Sequence, residues 1–342
     1  MFETVLVADH GPVAYRVVRT CQRLGARTVV VHGDDDRGAP GVRAADEAVP
    51  LGGSSWSDTY GDARKLLEAA SRTDAQAVHP GAGPLAEDAA LARAVLDAGL
   101  VWLGAPPDAL DRTQQQMADL AHGAGLAPGS GAEGRRLVVT TLHDSVLGVR
   151  EQARRDGAPL LDRSPVDLPP DVLGRVEHAA LVIARTAGAG PLTAVGLTVT
   201  GDEVAVAAVL PVLLLGSSAT EEAAGLDLVE AQLRLAAGEA VQPAQARRHA
   251  VALHLRAADR FAGRIRRWRL PSPDDLDGVR VDAGVGRGDR VGPTSDRTLA
   301  VLTVCADDPP ELLRRARAAL DDVVVTGLPT SLPSLQAALA NP

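Results

Sequence analysis

The side chains in this chain that could hold a metal or move a proton are few and dispersed. Glu221 and Glu222 adjoin in SSATEEAAGLDLVEAQL, and Asp202 and Glu203 adjoin in TGDE. Magnesium is held through one or two carboxylates together with further oxygen ligands, so either pair is a candidate. Each has a plainer reading. Carboxylates at a helix start complement the dipole, and TGDE has the composition of a hairpin tip facing water. His79, in HPGAGPLAED, could transfer a proton, but a structural hydrogen bond is the simpler account. Lys65 is the only lysine, on the polar face of DARKLLEAA, and reads as a solvated surface residue. Cys21 and Cys305 are far apart in apolar runs, which predicts two buried, reduced thiols.

The elements that must position these groups alternate at first. Thr4 to Ala8, Arg27 to His32 and Ala75 to His79 read as strands, with helices through Cys21, around Lys65 and from Ala90 to Ala98. That pitch predicts α/β architecture with an N-terminal doubly wound parallel sheet. The single glycine of the first strand-to-helix turn, Gly11 after His10, suggests a tight turn more than an anion site. Further on, Leu137 to Leu142 and Thr193 to Val199 read as strands and Pro170 to Ala187 as a helix, while REQARRDGAPLL (150–161) looks helical. Val204 to Leu215 is unbroken apolar, the composition of a strand buried on both faces or entering a site. A helix then opens at Thr220, with Leu226, Leu228, Val229, Leu233 and Leu235 as its apolar stripe. We divide the chain into units at 1–132, 133–238 and 239–342.

Composition narrows the partners. The chain has 342 residues, 46% hydrophobic and 23% charged, enough for two or three cores. A formal net charge of −9 and only 2% aromatics argue against nucleic acid, whose binding needs basic surface and stacking platforms. No apolar run reaches 18 residues and the start carries no basic leader, so no membrane partner and a cytoplasmic location are expected.

Three stretches carry a resemblance. ETVLVADHGPVAYRVVRTCQRLGARTVVV, the TEEAAGLDLVEAQLRLAAGE helix and GVRVDAGVGRGDRV are similar to segments of the biotin carboxylase family of ATP-grasp enzymes. The resemblance implies a truncated ATP-grasp remnant after the first sheet, then a C-terminal biotin-carboxylase-like α+β domain. It also implies the family's cofactors, ATP, magnesium and biotin, and pairing as a homodimer or with a biotin-dependent carboxylase subunit.

The same alignment shows what has changed. Gln116 falls on the family's nucleotide-binding lysine, and Gly196 and Ala208 on its two metal-holding glutamates. Leu210 falls on its asparagine, Val212 on an arginine and Gly216 on a second glutamate of the strand that precedes the helix. His254 falls on a further arginine. Arg280 matches the arginine that assists the biotin enolate and is the one catalytic candidate retained. After Gly129, GSGAE runs straight into GRRLVV, where the family has a lid with its own lysine and glycine-rich loop. Members of one site fail together, and apolar replacements avoid burying unpaired charge. The resemblance therefore points to a homologue without ATP-grasp catalysis, with no cofactor predicted and a structural or regulatory role. Two other readings stay open: ligase activity completed by a partner chain, and small-molecule binding in the apolar cleft left by the lost side chains.

Overall fold

A computed structural model describes residues 1–115, 117–128, 134–210, 213–243, 247–258, 262–272, 276–292 and 297–340. The chain opens with strands β1 (Thr4–Val7), β2 (Arg27–His32), β3 (Glu47–Pro50), β4 (Ala77–His79) and β5 (Val101–Trp102). Between them run helices α1 (Gly11–Arg23), α2 (Pro40–Ala44), α3 (Ala63–Arg72) and α4 (Ala89–Asp97). The strands form a parallel sheet in the order β3-β2-β1-β4-β5. Every residue of β1 is buried, as expected for a strand covered by helices on both faces. The doubly wound sheet expected from the alternation is therefore present.

Helices α5 (Pro107–Gln115) and α6 (Met117–Gly123) lead to β6 (Ala127–Pro128). Then come β7 (Arg135–Leu142), β8 (Ser145–Arg155), β9 (Ala158–Ser164), α7 (Pro170–Ala187), β10 (Leu192–Thr200) and β11 (Glu203–Leu210). Next are α8 (Ser217–Ala224), α9 (Leu228–Ala236), β12 (His249–Arg256), β13 (Gly263–Arg264), β14 (Arg267–Arg269) and β15 (Val279–Ala283). The chain closes with β16 (Arg290–Val291), β17 (Thr298–Ala306), α10 (Pro309–Asp321), β18 (Val324–Thr326) and α11 (Leu332–Ala340). A nine-stranded sheet, ordered β15-β17-β12-β9-β8-β7-β10-β11-β6, runs across this whole second part. Its seam is the antiparallel pairing of β9 with β12, which joins Leu161–Ser164 to Ala250–Leu253. All its pairings are antiparallel except that of β6 with β11.

Four local expectations change. Residues 150–161 are not helical but the arms of a β8–β9 hairpin. Asp156 and Gly157 take φ of 51° and 77° at its tip, the left-handed pair that a two-residue hairpin turn requires. The apolar run from Val204 keeps strand pairing only to Leu210. Val204, Val206 and Val209 face the core, whereas Ala205, Ala208 and Leu210 are half-buried, because a bulge beside Gly196/Leu197 resets the alternation. The helix expected from Thr220 is two helices. Gly225 (φ 69°) ends α8, and Asp227 caps α9 by accepting from Val229 and Glu230 N–H. Lys65 is not solvated: its Nζ donates to the Leu51, Gly52 and Asp58 carbonyls and ties down the loop between them.

His79, at the carboxyl end of β4, is structural. Its Nδ1 accepts from Gly81 N–H at 2.9 Å, so the proton belongs on Nε2, which faces Gln232 Oε1 of α9 at 3.3 Å. Burial pushes its pKa down to about 4. The folded pKa lies below the unfolded value, so the unfolded chain binds the extra proton. Stability is therefore full above about pH 6.5 and is lost as pH falls towards 4, at up to roughly 1.4 kcal/mol per unit. Urea midpoints measured across that window should fall in the native chain and flatten in His79→Gln.

Candidate functional site

Helix α8 is short, yet Ser217, Ser218, Ala219, Thr220, Glu221 and Ala223 on it are all buried. It packs against β8, β9, β12 and β17 and is wedged between the large sheet and α1. Its Glu221 is 3% exposed and is the hub of an ion cluster. One carboxylate oxygen accepts from Arg16 of α1 and from Leu228 N–H at 2.6 Å; the other accepts from Arg280 Nη1 at 3.0 Å. Arg280 also makes a two-pronged contact with Asp282, Nε at 3.0 Å and Nη2 at 2.9 Å, and lies 3.6 Å from Glu222. Burial lowers the pKa of Arg16 to about 10, with the Arg280 charge adding to it. For Arg280, burial works the same way, but the Asp282 carboxylate outweighs it and the pKa rises.

This arrangement engages Glu221, Glu222 and Arg280, three of the groups singled out in the sequence. Glu221 is saturated by guanidinium and amide hydrogen bonds, and Arg280 is committed to carboxylates. The cluster binds α1 to α8 and β15 electrostatically. It borders a cleft of about 330 Å³ that is also lined by Arg19, Thr20, Arg23 and Asp227. Asp202 and Glu203 lie elsewhere, exposed at the β10–β11 tip.

The changed positions can be placed one by one. Gly196 and Ala208 sit directly opposite each other on β10 and β11. A Cβ built on Gly196 would stand 3.3 Å from the Ala208 Cβ. Leu210 pairs with Ala194 at the end of the same ladder. Gln116 and Val212 lie outside the described residues. Magnesium-ATP needs carboxylate oxygens here, and the Gly196–Ala208 pair supplies none. Among the described residues, no group of three or more His, Cys, Asp or Glu side chains could hold a metal.

Gly216 leads to a cluster that sequence reasoning missed. A Cβ at 216 would come within 2.2 Å of Asp162 Oδ2, a carboxylate brought in by β9. Asp162 is fully buried and accepts from His254 Nε2 at 2.8 Å, Arg150 Nε at 3.0 Å and Gln152 at 3.3 Å. Burial opposes its ionisation, but the His254 and Arg150 partners prevail and hold the carboxyl below its usual value. Arg150 Nη2 and His254 Nδ1 find no partner among the described residues. No local signal marked this trio. Arg150 opens the run read as helical and Asp162 follows it, where a charge ordinarily faces water, and only the β9–β12 pairing puts His254 beside them.

At the first turn, His10 caps nothing with its side chain and its ring lies 5.1 Å from Tyr60. Asp9 accepts from the Ala82 amide of the HPGAG loop and from His10 N–H, so a carboxylate occupies the turn. Cys21 and Cys305 are buried free thiols, as expected, and burial pushes their pKa values to about 12 and about 11.

Two substitutions test this geometry. Glu221→Ala strands Arg16 in the interior without its counter-charge and should cost about 3–5 kcal/mol, measured by chemical denaturation. Gly216→Glu places a side chain on the Asp162 carboxylate and should lower the melting temperature sharply. Gly216→Glu paired with Asp162→Ala should recover part of that loss if steric and charge conflict at this contact is the cause.

Comparison with known proteins agrees with this architecture. Residues 1–110 match the family described as biotin carboxylase, N-terminal domain, and residues 258–342 the biotin carboxylase C-terminal domain. The biotin-dependent acyl-coenzyme A carboxylase alpha3 subunit of Mycobacterium leprae is 29% identical, covering 99% of this chain and 71% of its own length. That alignment spans 432 positions against the 342 residues here, so about 90 positions of the relative have no counterpart. A biotin carboxylase of Halalkalibacterium halodurans is 26% identical, over 100% of this chain and 95% of that protein. Of multi-domain structures the chain spans a minor part, 21% of the urea amidolyase of Kluyveromyces lactis. The biotin carboxylase domain of a single-chain bacterial carboxylase superposes with a TM-score of 0.90 at 32% identity, covering 99% of this chain and 93% of that one. From the first sheet to the last helix, the chain belongs to the biotin carboxylase family.

Proposed function

We propose that this chain is a catalytically inactive biotin carboxylase homologue with a structural or regulatory role, pairing with itself or with an acyl-CoA carboxylase subunit. The observation that carries this reading is the Gly196–Ala208 pair. Where two carboxylates would grip a metal–nucleotide complex, Gly196 has no side chain and its cross-strand neighbour Ala208 offers only a methyl group. Phosphoryl transfer depends almost wholly on positioned charge around the transferred group. Removing such charge costs orders of magnitude in rate. The short connection from β6 to β7, six residues between Pro128 and Arg135, leaves no length for a closing lid. Arg280, the retained candidate, is committed to Asp282 and Glu221 and serves as structural glue.

The partner follows from the relatives. One is by name an alpha3 subunit of a biotin-dependent acyl-coenzyme A carboxylase, and the present chain keeps that subunit's frame. An inert copy that can still dock would occupy a subunit position or regulate assembly. No helix among the described residues is long and apolar enough to cross a membrane, and none is needed for this role. The apolar cavity between β5 and α9, lined by Trp102, Leu103, Pro106, Pro191, Gln232 and Leu235, measures about 190 Å³. That is below the roughly 300–1,000 Å³ of ligand pockets, so it does not favour small-molecule binding.

Purified protein given ATP, magnesium, bicarbonate and biotin should release no phosphate above the rate of a boiled control. It should co-purify from its native cell with itself or with a carboxylase subunit. Bicarbonate-dependent ATP turnover by the chain alone would sink the proposal.

A further inference from the structure

The C-terminal unit ends in two small ribbons, β13 with β16 and β14 with β18, that carry an unusual concentration of arginine. Arg264, Arg266, Arg267, Arg287 and Arg290 are all exposed. No ion pair or side-chain hydrogen bond joins any of them to another described residue, although the chain as a whole is at −9. Among the described residues, two acids of this unit have partners of their own: Asp322 pairs with Arg269, and Asp289 accepts from the Gly286 amide. Arg264 and Arg290 are direct cross-strand partners. Like charges in that position are destabilising, and folding alone gives no reason to keep them. A bound anion gives one.

The arginines also shape a concavity. Arg266, Arg267, Arg287, Thr326 and Trp268 line a groove of about 450 Å³. Trp268, one of three tryptophans in the chain, packs part of its indole on the core beneath and is half-buried. Guanidinium groups bind phosphate in forked pairs, and an indole face takes a heteroaromatic ring by stacking. An extended nucleic acid would leave the patch and meet the acidic remainder of the surface, whereas a compact ligand stays within it.

We propose that this groove binds a nucleoside polyphosphate, with Arg266, Arg267 and Arg287 on the phosphates and Trp268 against the base. The site is remote in sequence from the Gly196–Ala208 pair and requires no metal. It would let the chain respond to nucleotide without consuming it. Calorimetric titration of the full chain with ADP in EDTA at low salt tests this, beside inorganic tripolyphosphate and poly-glutamate. The expected result is ADP binding that weakens with salt and falls about tenfold or more in R266Q/R267Q/R287Q, whose melting temperature is unchanged or raised because repulsion is relieved. Binding should quench tryptophan fluorescence, and Trp268→Phe should abolish the quench. No heat with ADP overturns the proposal, as does binding that survives the triple substitution. Tripolyphosphate binding as tightly as ADP would remove the nucleoside from it, and a preference for poly-glutamate would assign the groove to an acidic protein segment. Binding that appears only with magnesium and survives the triple substitution would instead count against the inert-site reading, so the two proposals fail separately.

Discussion

A buried carboxylate, Glu221, holds the molecule's two halves in register. It receives Arg16 from the first parallel unit and Arg280 from the antiparallel sheet, in an interior where an unpaired charge is costly. Such clusters add little net stability compared with apolar packing, but breaking one partner away is expensive. The consequence is geometric. Helix α8 has a single allowed position, and everything attached to it, from Gly216 at its start to the Asp227 cap of α9, is positioned with it.

That constraint fixes the frame around Gly196, Ala208 and Leu210, none of which must be paired with an ion to remain in place. Residues that carry the frame are paired: Glu221 with Arg16 and Arg280, and Asp227 with Thr20 and Arg23. The Asp162–Arg150–His254 trio is the exception. It brings an acid and two bases into the interior beside Gly216, and Gly216 is the residue whose lack of a side chain makes the space. An acid held by an arginine and an imidazole is a satisfied structural group.

The arginine ribbons show the opposite economy. There, charge is exposed, uncompensated and concentrated on elements too short to be stable on their own. The core needs none of it. This is the surface where the charge pattern departs most from what folding requires.

Much was legible from order and pattern. Alternating strands and helices gave the parallel sheet, and the strand and helix limits at Arg27–His32 and Pro170–Ala187 follow directly from local apolar runs bounded by turn residues. The family resemblance placed the changed positions. The sequence could not show that Gly196 and Ala208 are neighbours, because strand register is set by pairing between distant segments. It misjudged 150–161 because a helix-like composition was overridden by one Asp-Gly turn and by partners on both sides. It treated Lys65 as solvated because the carbonyls that capture it come from a loop that only folding closes around it. Local composition determined most of the elements that form. Tertiary structure alone decided which charges meet, because ion pairs and close contacts depend on distance in space, which is independent of separation along the chain.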